Sequence, residues 1–416
     1  MDVFEMIAVL LTLAALLSYI NHRWLKMPPT IALMLGSFAI SLILVALGTL
    51  PLQIGHHIQD AARDLVEDMH FGEIMMDGML GLLLFAGSLH VQFNDLAEHK
   101  WQIGTYAIVG TIASTFLVAG FIFGLSSVLS LGVPWIYCLL FGALISPTDP
   151  IAVLGIMKRV GASRSLETKI SGESLFNDGI GVVVFISVKR VAEGHPASIA
   201  ATAELFLIEA VGGILFGLLL GYLAYRIIKS IDDYNVEILV TLALVVGGYA
   251  LAHRLHTSGP LAMVAAGLLI GNTGRRFGMS QITRQHLDMF WELIDQILNA
   301  ILFVMIGLEV LVLSGNGMYM LASLLAVPLV LLGRMLTVGA GVMAVGTGRF
   351  RTVGIMTWGG LRGGISVALA LSIKDAPCRE LIVTMTYVVV AFAVLVQGLT
   401  IGKLIKAWGS EDTLGK

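Results

Sequence analysis

Apolar runs long enough to cross a bilayer recur along the whole chain, and they constrain its fold more than any other feature. A helix needs about 20 mostly apolar residues to span a hydrocarbon core roughly 30 Å thick. Runs near that length lie at 4–20, 28–49, 74–92, 102–124, 133–157, 170–188, 203–227, 236–254, 258–272, 286–312, 318–345, 353–373 and 380–405. Because lipid cannot bond exposed backbone N–H and C=O groups, such runs fold as helices. The expected fold class is an all-α polytopic membrane protein with about 13 transmembrane helices. Composition agrees: 13% of the 416 residues are charged, about half the share in soluble domains. The net charge of −3 lies mostly in loops, and no basic stripe suggests a nucleic-acid partner. The first run follows Asp2 and Glu5 rather than a basic segment, so it reads as a span and not as a signal peptide. Cys138 and Cys378 match no metal or redox spacing and read as structural.

The loops give an orientation. With the N-terminus outside and the C-terminus cytoplasmic, inside loops hold most basic residues, among them Arg23, Lys26, Lys158, Arg159, Arg275, Arg276, Arg349 and Arg351. Outside loops hold Arg63, Lys189, Arg190, Arg254, Lys374 and Arg379. This bias fits the positive-inside rule and an inner-membrane location. The stretch 56–73 is amphipathic, with Ile58, Ala62, Leu65 and Met69 on one stripe, and is expected to lie along the interface. Arg334 and Arg362 are left inside spans.

Two pairs of spans share motifs at a common offset. PTIALMLG (29–36) opens the second and PLAMVAAG (260–267) the ninth, while AGSLHV (86–91) ends the third and IGLEV (306–310) the tenth. An offset of seven spans turns each partner over, the pattern of an inverted repeat. The same offset pairs the fifth span with the twelfth, and both are broken. SPTDP (146–150) carries two prolines that remove backbone donors. WGGLRGG (358–364) places four glycines around Arg362, where an extended or left-handed backbone costs little. Non-helical backbone at membrane depth survives only inside protein or beside water, so two facing breaks imply a polar site at the midplane.

SGESLFNDGIGVVVF (171–185) sets carboxylates against an apolar run. Glu173, Asp178, Asp149, Arg334 and Arg362 would each cost roughly 2.5–3.5 kcal/mol at a helix centre, so they are expected to face one another. At 100° per residue Ser174 and Asp178 share one helix face, and Glu173 and Asn177 a neighbouring one. Three acids against two arginines leave room for a cation or a proton. Thr148, between the prolines, offers a hydroxyl and a freed carbonyl. Such hard oxygens suit a small alkali cation, and no His or Cys cluster suggests a transition metal.

SPTDP, then GESLFNDGIGVVVF, then GGLRGGISVALAL resembles the NhaP-type sodium/proton antiporters, relatives of the animal exchangers, over essentially the whole chain. The resemblance implies a single transmembrane unit, 1–416, working as a homodimer. It implies a core bundle at 102–190 and 318–405, a dimerisation bundle at 4–92 and 236–312, and a linker helix at 203–227. It implies Na+ or Li+ exchanged for H+, with no cofactor and no enzymatic activity. Na+ would bind at Asp178, Ser174, Thr148 and Glu173, with Asn177 and Asp149 beside them. Arg362 would pair with Glu173, and Arg334 would be the basic residue of the eleventh span. Asp178 would hold a proton or Na+ but not both, and the core would rock to expose it to alternate sides. A neutral Asn177 implies electroneutral exchange, one proton per cation. K+/H+ exchange by the same fold and a passive cation channel are the other readings. An intramembrane protease lacks its tyrosine-aspartate signature. The histidines His56, His57, His70, His90, His99 and His256 read as interfacial, with pH sensing as the other reading, and Asp77, Glu204 and Glu209 read equally as lining an ion funnel or as interfacial.

Overall fold

The computed structural model describes residues 3–49, 71–98, 100–149, 151–160, 164–194, 199–312, 316–344, 350–373 and 376–408, together with residues 63, 64 and 66. The amphipathic expectation for 56–73 falls largely outside them, as do His56, His57, His70 and His99. All regular structure among the described residues is helical. The helices that position the site are α1 (Phe4–Leu25), α2 (Pro29–Gly48), α3 (Ile74–Leu89), α4 (Lys100–Val128), α5 (Trp135–Ile145), α6 (Ile151–Val160), α7 (Arg164–Ala192) and α8 (Ile199–Ile228). They continue with α9 (Tyr234–Arg254), α10 (Gly259–Leu269), α11 (Gln281–Leu308), α12 (Gly317–Ala344), α13 (Phe350–Gly359), α14 (Gly364–Leu371) and α15 (Arg379–Trp408).

Among the described residues, 8 helices are long and apolar enough to cross a membrane, and 9 if the bent pair α13–α14 is one span. Helices α3, α5–α6, α7 and α10 lie where the other four spans are expected. Of these, α3 and α10 are short, α5–α6 is broken and α7 carries charged residues along its length.

Local chemistry starts several helices where the sequence offers a cap. Asp233 accepts from Asn235 N, Ser258 from Leu261 N and Ser280 from Thr283 N, at the starts of α9, α10 and α11. Each cap satisfies a donor that the first helical turn leaves unbonded.

Small residues then set the packing. Gly213, Gly217 and Gly221 recur every fourth position on α8 and lie against Ser258, Ala262 and Ala266 of α10, so a Cβ at any of the three would meet those residues. Close backbone approach of this kind replaces the hydrophobic drive that lipid cannot supply between helices. The motif pairs of the repeat meet in a related way. Gly267 of α10 lies against Ser88 of α3, and Gly307 of α11 against Ser37 of α2. Ser41 also donates to Gly307 O at 2.9 Å. Around the breaks, α5 packs between α4 and α7, α12 against α4, α13 and α15, and α14 against α15.

Candidate functional site

The two breaks meet. Asp149 N donates to Leu361 O at 2.8 Å, so the interrupted backbone of the α5–α6 connection is bonded to that of the α13–α14 connection. Helices α13 and α14 bend by 52° across theirs. Helix ends buried in lipid must have their orphan groups satisfied, and here side chains do it. Arg362 Nη1 donates to Ser146 O at 2.6 Å and Pro147 O at 2.8 Å, neutralising the carbonyl end of α5. Gln397 of α15 donates to Trp358 O at 3.0 Å at the end of α13. Thr148 N donates to Asn177 Oδ1 at 3.2 Å, and Asn177 Nδ2 donates to Thr148 Oγ1 at 2.8 Å. Asn177 thus both accepts from and donates to the broken segment, which a carboxylate could not do. Thr148 Oγ1 and Ser174 Oγ lie 3.1 Å apart.

The charges divide differently from the expectation that paired Arg362 with Glu173. Glu173 Oε1 lies 2.5 Å from Arg334 Nη1 of α12, and both residues are buried. Arg362 instead serves the α5 carbonyls. The physical reason is geometric: Arg362 sits in the break itself, beside unbonded carbonyls, while Arg334 reaches Glu173 from a continuous neighbouring helix.

The glycines of 358–364 bear out the extended half of the expectation and not the left-handed half: Gly363 is extended, with φ −120° and ψ −164°, and none of the four has a positive φ. They provide room. A Cβ on Gly363 would enter the Asp149 carboxylate, and one on Gly360 would lie 2.8 Å from Arg334 Nε. Gly363→Ala is therefore expected to cut transport and lower the melting temperature in detergent. Gly359→Ala is expected to be mild, because its Cβ would meet nothing closer than 3.7 Å. Equal behaviour of the two variants would show that close approach at Gly363 does not matter.

Asp178, 7% exposed, lines a cavity of about 630 Å³ with Asp149. Among the described residues, Glu173, Ser174, Asn177 and Thr148 do not line it. They form the layer behind: a hydroxyl–amide cluster of Thr148, Ser174 and Asn177, and the Glu173–Arg334 pair. All eight site residues expected from sequence thus gather around the crossing, in two layers. The cavity also brings in Glu167, Glu292, Asp295, Gln296 and Asn299, which sequence reading left unassigned. Their signal was present: Glu292, Asp295, Gln296 and Asn299 repeat at helical spacing along an otherwise apolar span. Among the described residues, no group of three or more His, Cys, Asp or Glu side chains is arranged to hold a metal ion. The arrangement can neutralise one buried carboxylate with a proton or a small cation reaching it through the cavity.

The family described as "Sodium/hydrogen exchanger, transmembrane" matches residues 10–407. The Na(+)/H(+) antiporter NhaP of Pseudomonas aeruginosa is 46% identical over 413 residues, covering 97% of this chain and 96% of that protein. The Na(+)/H(+) antiporter NhaH of Halobacillus dabanensis is 36% identical over 416 residues, covering 98% of each. The sodium proton antiporter MjNhaP1 from Methanocaldococcus jannaschii at pH 8 has a similar fold, with a TM-score of 0.76 at 22% identity over 98% of this chain and 99% of that one.

Proposed function

The chain belongs to the sodium/hydrogen exchanger family, and from that premise we propose that it exchanges Na+ for H+ across a membrane through Asp178. The observation that carries this reading is the burial of Asp178 in the cavity wall beside the two crossing breaks. Burial disfavours the ionised carboxylate, so Asp178 needs a proton or a cation, and loading one expels the other. Thr148, Ser174 and Glu173 complete the oxygen set from the layer behind, and Asp149 faces the same cavity. Alternating access then requires one bundle to move against another. The packing of α4, α5–α6, α7, α12, α13–α14 and α15 on one another supports a moving core at about 102–190 and 318–405. Helices α1–α3 and α9–α11 would form the scaffold and homodimer contact, with 203–227 linking the two. The loop charges support an inner-membrane orientation with the N-terminus outside.

The test is proton flux into proteoliposomes on addition of Na+, Li+ or K+. Na+- or Li+-driven flux supports the reading, K+-driven flux alone selects K+/H+ exchange, and cation flux without proton movement selects a channel. A neutral Asn177 further predicts electroneutral exchange. With potential clamped by K+ and valinomycin, Na+-driven proton flux is expected to be the same at zero and at imposed potential. A steep voltage dependence would mean that a second carboxylate, Asp149 or Glu173, also carries a proton.

A further inference from the structure

We propose that Gln397 of α15 is a positioning residue of the exchange site: by holding Trp358 O it keeps Arg362 on the α5 carbonyls and Arg334 on Glu173, and so sets the affinity for the cation. The proposal rests on the exchange reading above and adds to it a residue outside the cavity of Asp178. Gln397 is 2% exposed and stands in an otherwise apolar run, AFAVLVQGL (391–399). The break between α13 and α14 explains its use. Met356 O accepts from Gly360 N at 3.1 Å, Gly359 O from Leu361 N at 2.9 Å and Leu361 O from Asp149 N at 2.8 Å. Trp358 O is served by a side chain instead, Gln397 Nε2 at 3.0 Å. Thr400, three residues on and on the same face of α15, accepts from Trp358 Nε1 at 2.8 Å. Trp358 is therefore tied to α15 twice, through its ring and through its backbone.

Two guanidinium groups stand beside the backbone tie. Gln397, Gly360, Arg334 and Arg362 surround one small space of about 10 Å³, whose other walls are apolar side chains of α12 and α15. It has room for about one water molecule at most. Arg334 Nε, against which Gly360 packs, meets no acceptor among the described residues. Without Gln397, Trp358 O would be a bare carbonyl among apolar walls, a costly state that a neighbouring guanidinium relieves by turning to it. If Arg362 turns, it leaves Ser146 O and Pro147 O, the carbonyls just before Thr148. If Arg334 turns, it loosens its pair with Glu173. Either move disturbs the oxygen set proposed for the cation, while Asp178 itself keeps its place in the cavity wall.

The test compares the Na+ dependence of proton flux in proteoliposomes for the unaltered protein, Gln397→Met, Gln397→Glu and Thr400→Val, with melting curves in detergent for each. Gln397→Met keeps the volume and removes the donor. It is expected to raise the apparent KM for Na+ by about three- to tenfold, the size of one net hydrogen bond. The rate at saturating Na+ should change much less, since cation binding in the ground state is what is weakened. Gln397→Glu sets a carboxylate beside both guanidinium groups and should raise KM at least as far. Thr400→Val cuts only the ring tie, so it is expected to melt lower than the unaltered protein at unchanged KM. That contrast separates positioning from mere tethering of α13 to α15. Unchanged KM in a folded Gln397→Met protein, or an equal rise in Thr400→Val, overturns the proposal. If Gln397→Met does not fold, Gln397→Glu decides by the same criterion. Absence of any Na+-dependent proton flux in the unaltered protein overturns the exchange reading instead, so the two failures are distinguishable.

Discussion

Asp178→Asn is expected to reduce Na+-driven proton flux to that of empty liposomes while the purified protein melts no lower than the unaltered chain. The amide keeps the volume and can coordinate through its oxygen, but it cannot take up and release a proton at working pH. Burying a neutral amide in place of an ionisable group also removes a desolvation cost, so stability should hold or rise. Asp178 lies in the cavity wall, where a proton or cation can reach it without moving the hydrogen-bonded layer behind. Coupled exchange at the unaltered rate in a folded Asp178→Asn protein would remove this residue as the shared ligand.

The second large effect concerns Glu173 and Arg334. Both are buried, with 2.5 Å between Oε1 and Nη1. Removing one partner strands the other charge, which costs roughly 3–5 kcal/mol, whereas removing both is often far milder. Glu173→Ala and Arg334→Ala are therefore each expected to melt well below the unaltered protein in detergent, and the double variant to recover part of the loss. A double-mutant cycle places the coupling. It should be strong for Glu173 with Arg334 and weak for Glu173 with Arg362, whose guanidinium holds Ser146 O and Pro147 O. Single variants that melt like the unaltered chain, or a strong Glu173–Arg362 coupling, would contradict the geometry.

That reassignment marks where sequence reading stops. The apolar runs announced the helices, and SPTDP and WGGLRGG announced both breaks, because prolines and glycines at membrane depth have few other uses. Helical periodicity placed Ser174 and Asp178 on one face of α7 and Asn177 on its neighbour. Periodicity cannot say which of two cations on different helices reaches Glu173, since that depends on helix rotation and separation. Nor could composition distinguish a glycine needed for φ from one needed for space, and Gly363 proved to be the latter. Spans shortened or broken in the middle, such as α3 and α5–α6, resemble half-length core helices, so the number of crossings was less legible than their existence. Glu292, Asp295 and Asn299 were visible as a stripe on α11. They acquired meaning only when the cavity joined them to Asp178.

The central claim is that one carboxylate alternates between a proton and a cation, and the most direct measurement is proton release on Na+ addition to the purified protein in weakly buffered detergent solution. The unaltered protein is expected to release about one proton for each Na+ bound near the pH at which Asp178 is half protonated, as mutually exclusive ligands on one carboxylate require. Asp178→Asn is expected to release none. Na+ binding with no proton released from the unaltered protein, or equal release from Asp178→Asn, would contradict the account.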